Sequence, residues 1–178
     1  MLNDSLRSLA RATAALLAWQ AAAHGQEPQT PFLVARNIQI ESGDTWTQDG
    51  AKFRLYGVQS CLRGTNFLQD AQHADCGLAS IAEFAALIQT STASCQPLGL
   101  ANDGAMFVAC GAKVDNLTID VGAALIASGY AFAAVDKAGA PINANYLVTE
   151  LVAKNRGQGL WAGAFTHPVQ MLVNGPAQ

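Results

Sequence analysis

Charge is scarce in this chain of 178 residues. Charged residues make up 13%, ten basic residues stand against thirteen acidic ones, and Lys and Arg form no run. The formal net charge of −3 offers nothing to attract a polyanion, which counts against nucleic-acid binding. No stretch reaches the roughly 20 consecutive apolar residues of a membrane-spanning helix. No two of the four cysteines form a C-x-x-C pair, and His24, His73 and His167 are scattered, so the sequence has no metal-site spacing. What is abundant is apolar: 51% of residues are hydrophobic, enough for an ordinary buried core and against disorder.

The N-terminus reads as an export signal. Arg7 and Arg11 precede a short apolar stretch, 12–23, that ends in Ala21-Ala22-Ala23, and a polar segment with Pro28 and Pro31 follows. This is the order of charged region, apolar region and small-residue cleavage site in a secretory leader. The organisation expected is a signal peptide over 1–25, a linker over 26–33, one domain over 34–168 and a flexible tail over 169–178. A periplasmic or secreted protein follows, with no membrane span.

The cysteines agree with export. Cys61, Cys76, Cys95 and Cys110 allow three connectivities, or four buried thiols if the protein stays in a reducing compartment. Pairing Cys61 with Cys76 and Cys95 with Cys110 closes two loops of about 15 residues, each worth roughly 3 kcal/mol in the chain-entropy model. The second pair also joins two segments, 92–95 and 106–110, that pattern as neighbouring strands of one hairpin.

Strand formers open the domain. The second half of 32–41 alternates, Trp46 and Thr47 follow Gly43-Asp44-Thr45, and Asp49-Gly50 marks a tight turn into a strand over Phe53-Arg54-Leu55. The polar stretch 62–75 reads as an exposed loop. Helical period then runs over 77–89, a hairpin turns through 97–104, a second helix spans 120–129, and a short extended segment covers 130–133. A third helix spans 145–155 with Leu147, Leu151 and Val152 on its apolar side. Strands first, then helix, hairpin, helix, strand and helix give an α+β fold: a five-stranded OB-type barrel with about three helices.

Gly43-Asp44-Thr45, the Phe53-Arg54-Leu55 strand, Asp120-Val121-Gly122-Ala123-Ala124-Leu125 and the Gly159-Leu160-Trp161 ending together resemble the staphylococcal-nuclease (thermonuclease) family, over about 34–168. The four cysteines look like those of its secreted proteobacterial branch. That resemblance implies the OB-type fold and, in active members, a Ca²⁺-dependent phosphodiesterase. Such a site uses two aspartates and a glutamate for the metal and the attacking water, and two arginines for the phosphate.

Carried across, Asp44 stands at the first metal-aspartate position and Arg54 at the first phosphate-binding arginine. Gln59 stands at the second metal position, where its neutral carbonyl is a degenerate ligand. Leu62 replaces the glutamate, and Ala105 the second arginine. Losing a metal carboxylate, a base and an arginine removes factors of about 100 to 10,000 each, though these do not simply multiply. Glu41, Arg63, Asp70, Asp75 and Asp103 are the nearby charged residues from which a rearranged site would have to draw.

The expectation is therefore an inactive nuclease-fold module without a cofactor, which binds an envelope protein or glycan. Some secreted relatives carry names linked to exopolysaccharide (succinoglycan) production, which is what the resemblance implies for a partner. The alternative is a Ca²⁺-dependent nuclease with a rearranged site. Asp44 reads equally well as a turn cap, and Arg54 as a structural fork.

Overall fold

The computed structural model describes residues 30–69 and 72–174. The leader expected over 1–25 and the first half of the linker, 26–29, lie outside the described residues. Of the second half, Phe32–Leu33 form a strand, β1, paired with Cys95 and Ser94.

The fold is α+β, and its main sheet is mixed. β2 (Gln39–Ser42), β3 (Thr45–Gln48) and β4 (Ala51–Leu55) form an antiparallel meander. Asp49 and Gly50 both have positive φ, 51° and 77°, in the two-residue turn joining β3 to β4, as the Asp-Gly signal predicts. β5 (Val58–Ser60) leaves this sheet and pairs instead with β11 (Ala131–Ala133). β8 (Thr92–Leu100) and β9 (Met106–Val114) form the long hairpin, β10 (Leu117–Asp120) pairs with the far end of β9, and β4 runs parallel to its near end.

The resulting strand order is β1-β8-β9-β4-β3-β2, with β10 alongside β9. This path has two ends, so the sheet is not the closed barrel expected. The ends are neighbouring pieces of one chain segment, and after Val34, whose N–H still donates to Ala93 O, residues 35–38 leave the ladder. There a side chain substitutes for strand pairing: Gln48 Oε1 accepts the Ala35 N–H at 2.9 Å, and Gln48 Nε2 donates to Leu33 O at 3.1 Å.

Among the described residues, four helices accompany the sheets. α1 (Cys76–Thr90) is capped by Asp75, which accepts the Leu78 N–H, and α2 (Val121–Ala127) by Asp120, which accepts the Ala123 N–H. α3 (Ala144–Asn155) is followed by a 3-10 turn, Gly159–Ala162, and α4 (Pro168–Asn174) completes the described chain. α4 lies where a tail was expected; Pro168 occupies its first helical position, where a missing N–H costs nothing. The stretch expected as an exposed loop also departs from expectation. It holds a hairpin of β6 (Asn66–Gln69) and β7 (Gln72–Asp75), to which β12 (Ala164–Phe165) adds a third strand.

Two apolar clusters form the interior. The larger joins the inner sheet face, with Trp46, Leu55 and Val108, to Phe84 and Ile88 of α1 and to Val121, Leu125 and Ile126 of α2. The smaller surrounds Phe132 with Cys61, Phe67, Cys76 and Leu160. Gly122 lets α2 approach: a Cβ there would lie 2.6 Å from Tyr146 Oη and 2.7 Å from Val58 Cγ2. Tyr146 in turn donates to Asp120 Oδ1 at 2.8 Å, and burial, with that carboxylate, pushes its hydroxyl well above the usual tyrosine range.

Both disulfides pair as the loop lengths suggest, Cys61 with Cys76 and Cys95 with Cys110. Cys95 and Cys110 face each other directly in the β8–β9 register. Replacing these two together by Ala is expected to lower unfolding stability by about 3 kcal/mol, read as an earlier urea midpoint. An unchanged midpoint would show that the hairpin needs no staple.

Candidate functional site

Asp44 sits where β2 turns into β3, and the turn is pressed onto α1. A Cβ at Gly43 would come within 2.6 Å of Ser80 Cβ, so only glycine fits there without displacement. The turn carries Asp44 inward to 5% exposure. A buried carboxylate must be hydrogen-bonded, and this one is. Its Oδ1 accepts from the Ser42 hydroxyl and, at 2.9 Å, from Thr45 Oγ1; its Oδ2 accepts the Ser60 N–H at 3.1 Å.

Arg54 extends the same network. It lies opposite Thr45 in the β3–β4 register, and its Nε donates to Thr45 Oγ1 at 3.1 Å. Its Nη2 reaches Asp103, in the β8–β9 turn, at 2.7 Å. Asp103 Oδ1 also accepts the Ala105 N–H at 3.3 Å, so this carboxylate both caps its own turn and neutralises the guanidinium. The Arg54 guanidinium, acting first through that hydrogen bond, holds the Asp103 carboxyl below its ordinary value of 3.8.

Gln59 does not join Asp44. Its Nε2 donates to Ser60 O at 2.9 Å, and the side chain lines a separate cavity with Val135, Lys137, Val169 and Leu172. The next residue, Ser60, supplies the contact to Asp44 through its backbone. Ala105 is fully buried, and Leu62 is partly buried with its carbonyl accepting from Thr65 Oγ1.

The acidic residues that a rearranged site would draw on have other partners. Glu41 accepts from Lys52 Nζ at 2.6 Å and from Thr47 Oγ1 at 2.7 Å, and these bonds lower its carboxyl from the ordinary 4.5. Asp75 caps α1 and accepts the Gly64 N–H at 2.9 Å, the main cause of its lowered value. Arg63 is exposed, and Asp70 lies outside the described residues.

A hard cation such as Ca²⁺ requires several oxygen ligands converging from different elements. Asp44 spends both oxygens on protein donors, Gln59 faces another cavity and Leu62 offers no oxygen from its side chain. The residues present do not fit the ion. Among the described residues, no group of three or more His, Cys, Asp or Glu is placed to hold a metal.

A second buried carboxylate was not anticipated. Glu150 on α3 is 8% exposed; its Oε2 accepts the Ala133 N–H at 2.6 Å, and His167 Nε2 lies 3.1 Å from its Oε1. With Tyr146 and Ala153 it forms the buried face of α3; of the expected apolar side, Leu147 packs partly buried against the larger cluster, whereas Leu151 and Val152 are 50% and 43% exposed. The available signal was the i, i+4, i+7 spacing of Tyr146, Glu150 and Ala153, which hydrophobicity alone passes over.

Two outcomes follow from these bonds. Asp44→Ala is expected to lower stability by about 2 to 4 kcal/mol, because it strands the Ser60 N–H and two hydroxyls; denaturant unfolding and faster exchange of the Ser60 amide would show it. Depressed carboxyls stabilise the fold above their unfolded values, since the unfolded chain takes up protons first on acidification. Stability is therefore expected to fall as pH drops below about 4.5 and further below 3.8, as Glu41 and then Asp75 and Asp103 protonate. Asp103→Asn should make that acid limb shallower.

No family model matches the chain and no curated protein matches it, so the functional reading rests on the site itself.

Proposed function

We propose that this chain is an exported member of the staphylococcal-nuclease fold class whose catalytic site has become structural, and that it acts as a non-catalytic binding module in the cell envelope. The observation that carries this reading is the state of Asp44 and Arg54. At the two positions where the nuclease pattern is kept, one side chain is consumed by Ser42, Thr45 and Ser60, and the other is paired with Asp103.

Several features support the fold reading. The antiparallel meander, the parallel pairing of its last strand with β9, and the adjoining ends of the sheet fit an OB-type arrangement whose first strand is interrupted over 35–38. Two disulfides suit an oxidising compartment outside the cytoplasm. No helix among the described residues is long and apolar enough to cross a membrane. The partner in this reading is an envelope protein or a glycan, an exopolysaccharide among the latter.

The test is hydrolysis of single-stranded DNA and RNA by the oxidised protein with and without Ca²⁺, beside Asp44→Asn and Arg54→Ala. All three proteins are expected to be equally inert. Ca²⁺-dependent cleavage that vanishes in either variant would overturn the binding-module reading and make the protein a phosphodiesterase with a rearranged site.

A further inference from the structure

The sheet face that turns away from the larger apolar cluster carries an aromatic pair beside an ion pair. Met106 and Val108 pack against or within that cluster, so Phe107 between them on β9 points to the opposite side, where it is partly exposed. Tyr56, 45% exposed, meets it edge-on at 5.4 Å between ring centres. Arg54 lies opposite Phe107 in the parallel β4–β9 register, and its ion pair with Asp103 continues the row. On the other side of Phe107 stands Gly99 of β8, where a Cβ would meet nothing within 4 Å. No side chain covers Phe107 from that position.

The polar groups of this row keep capacity both to donate and to accept. Arg54 uses Nε for Thr45 and Nη2 for Asp103, which leaves Nη1 without a partner among the described residues. Asp103, whose side chain is 50% exposed, accepts from Arg54 at Oδ2 and from the Ala105 N–H at Oδ1, and each carboxylate oxygen has a second lone pair. The Tyr56 hydroxyl makes no hydrogen bond among the described residues. Guanidinium and carboxylate neutralise each other, so the pair itself favours neither an anion nor a cation. A neutral ligand can bridge the two without breaking their bond.

We propose that this face binds a neutral pyranose unit of a glycan, which lays the C–H face of its ring on Tyr56 and Phe107 and sets adjacent hydroxyls on Arg54 and Asp103. A pyranose has that division of surface: one face of the ring presents C–H groups, and each hydroxyl on its rim both donates and accepts. Aromatic surface takes the first, and a charged donor beside a charged acceptor takes the second. The inference rests on the binding-module reading and narrows its partner to a glycan.

The test is a titration of ¹⁵N-labelled protein with cellohexaose, laminarihexaose and mannohexaose, neutral oligomers of glucose and mannose, with oligothymidylate as a polyanionic comparison. The signals followed are the backbone amides of Tyr56 and Phe107, and the control is the indole N–H of Trp161, which packs against the smaller cluster. With at least one sugar the two amides are expected to move saturably while the control stays, equally at about 50 and 200 mM salt, since a neutral ligand releases no counterions. Tyr56→Ala should weaken binding about tenfold, and Tyr56→Phe should keep most of it, because the ring carries the contact. Saturable movement with none of the sugars, undiminished binding by Tyr56→Ala, or movement only with oligothymidylate that fades at the higher salt would each overturn the proposal. A failed sugar titration leaves the protein non-catalytic; that reading falls only to Ca²⁺-dependent cleavage, which is measured separately.

Discussion

One buried carboxylate holds the first half of this molecule in register. Asp44 receives hydroxyls from the paired strands β2 and β3 and a backbone N–H from β5, which belongs to a different sheet. Through Thr45 and Arg54 the bonds continue to β4 and to the β8–β9 turn. Hydrophobic burial alone would tolerate some sliding of these segments, because apolar contact is non-directional. Three donors converging on two oxygens tolerate little, and breaking one leaves polar groups stranded in the interior.

Glu150 does for the second half what Asp44 does for the first. The two-stranded sheet of β5 and β11 stands between them: Ser60 of β5 donates to Asp44, and Ala133 of β11 donates to Glu150. A sheet of two short strands leaves N–H groups that its own ladder cannot satisfy, and such edges invite wrong pairing when left open. Here two anionic side chains take them. His167 then ties Glu150 to the start of α4, so the last described helix is fastened to the same element as the central sheet.

These bonds explain which parts of the structure could be read from the sequence. The meander, the first three helices and the β8–β9 hairpin follow from local patterning: Asp-Gly at a turn, apolar residues at helical spacing, cysteines facing across two strands. The β6–β7 hairpin was invisible because polar residues dominate both strands, and of those whose exposure is described only Phe67 is buried. α3 was found, but its buried face was not, because an acidic residue lies at the centre of that face and its partners come from β11 and a histidine 17 positions later. α4 looked like a tail although Pro168 marks a helix start. The candidate residues themselves were legible at Asp44 and Arg54. Their occupation by Ser42, Ser60 and Asp103 was not, since each partner is an unremarkable residue whose role depends on the fold.

The pairing of Arg54 with Asp103 bears directly on what the site can do. A guanidinium that binds a phosphate must be free to trade water for the ligand. Here it already holds a carboxylate, and the arriving anion would have to displace one charged partner to gain another. Such an exchange yields little net free energy, because the lost pair and the new pair are of the same kind. Asp44 presents a stricter case, since a metal would need to strip three protein donors from a buried oxygen pair and leave them unsatisfied. Recognition is cheaper where donors stand unpaired than where every bond is already made, as it is at Asp44.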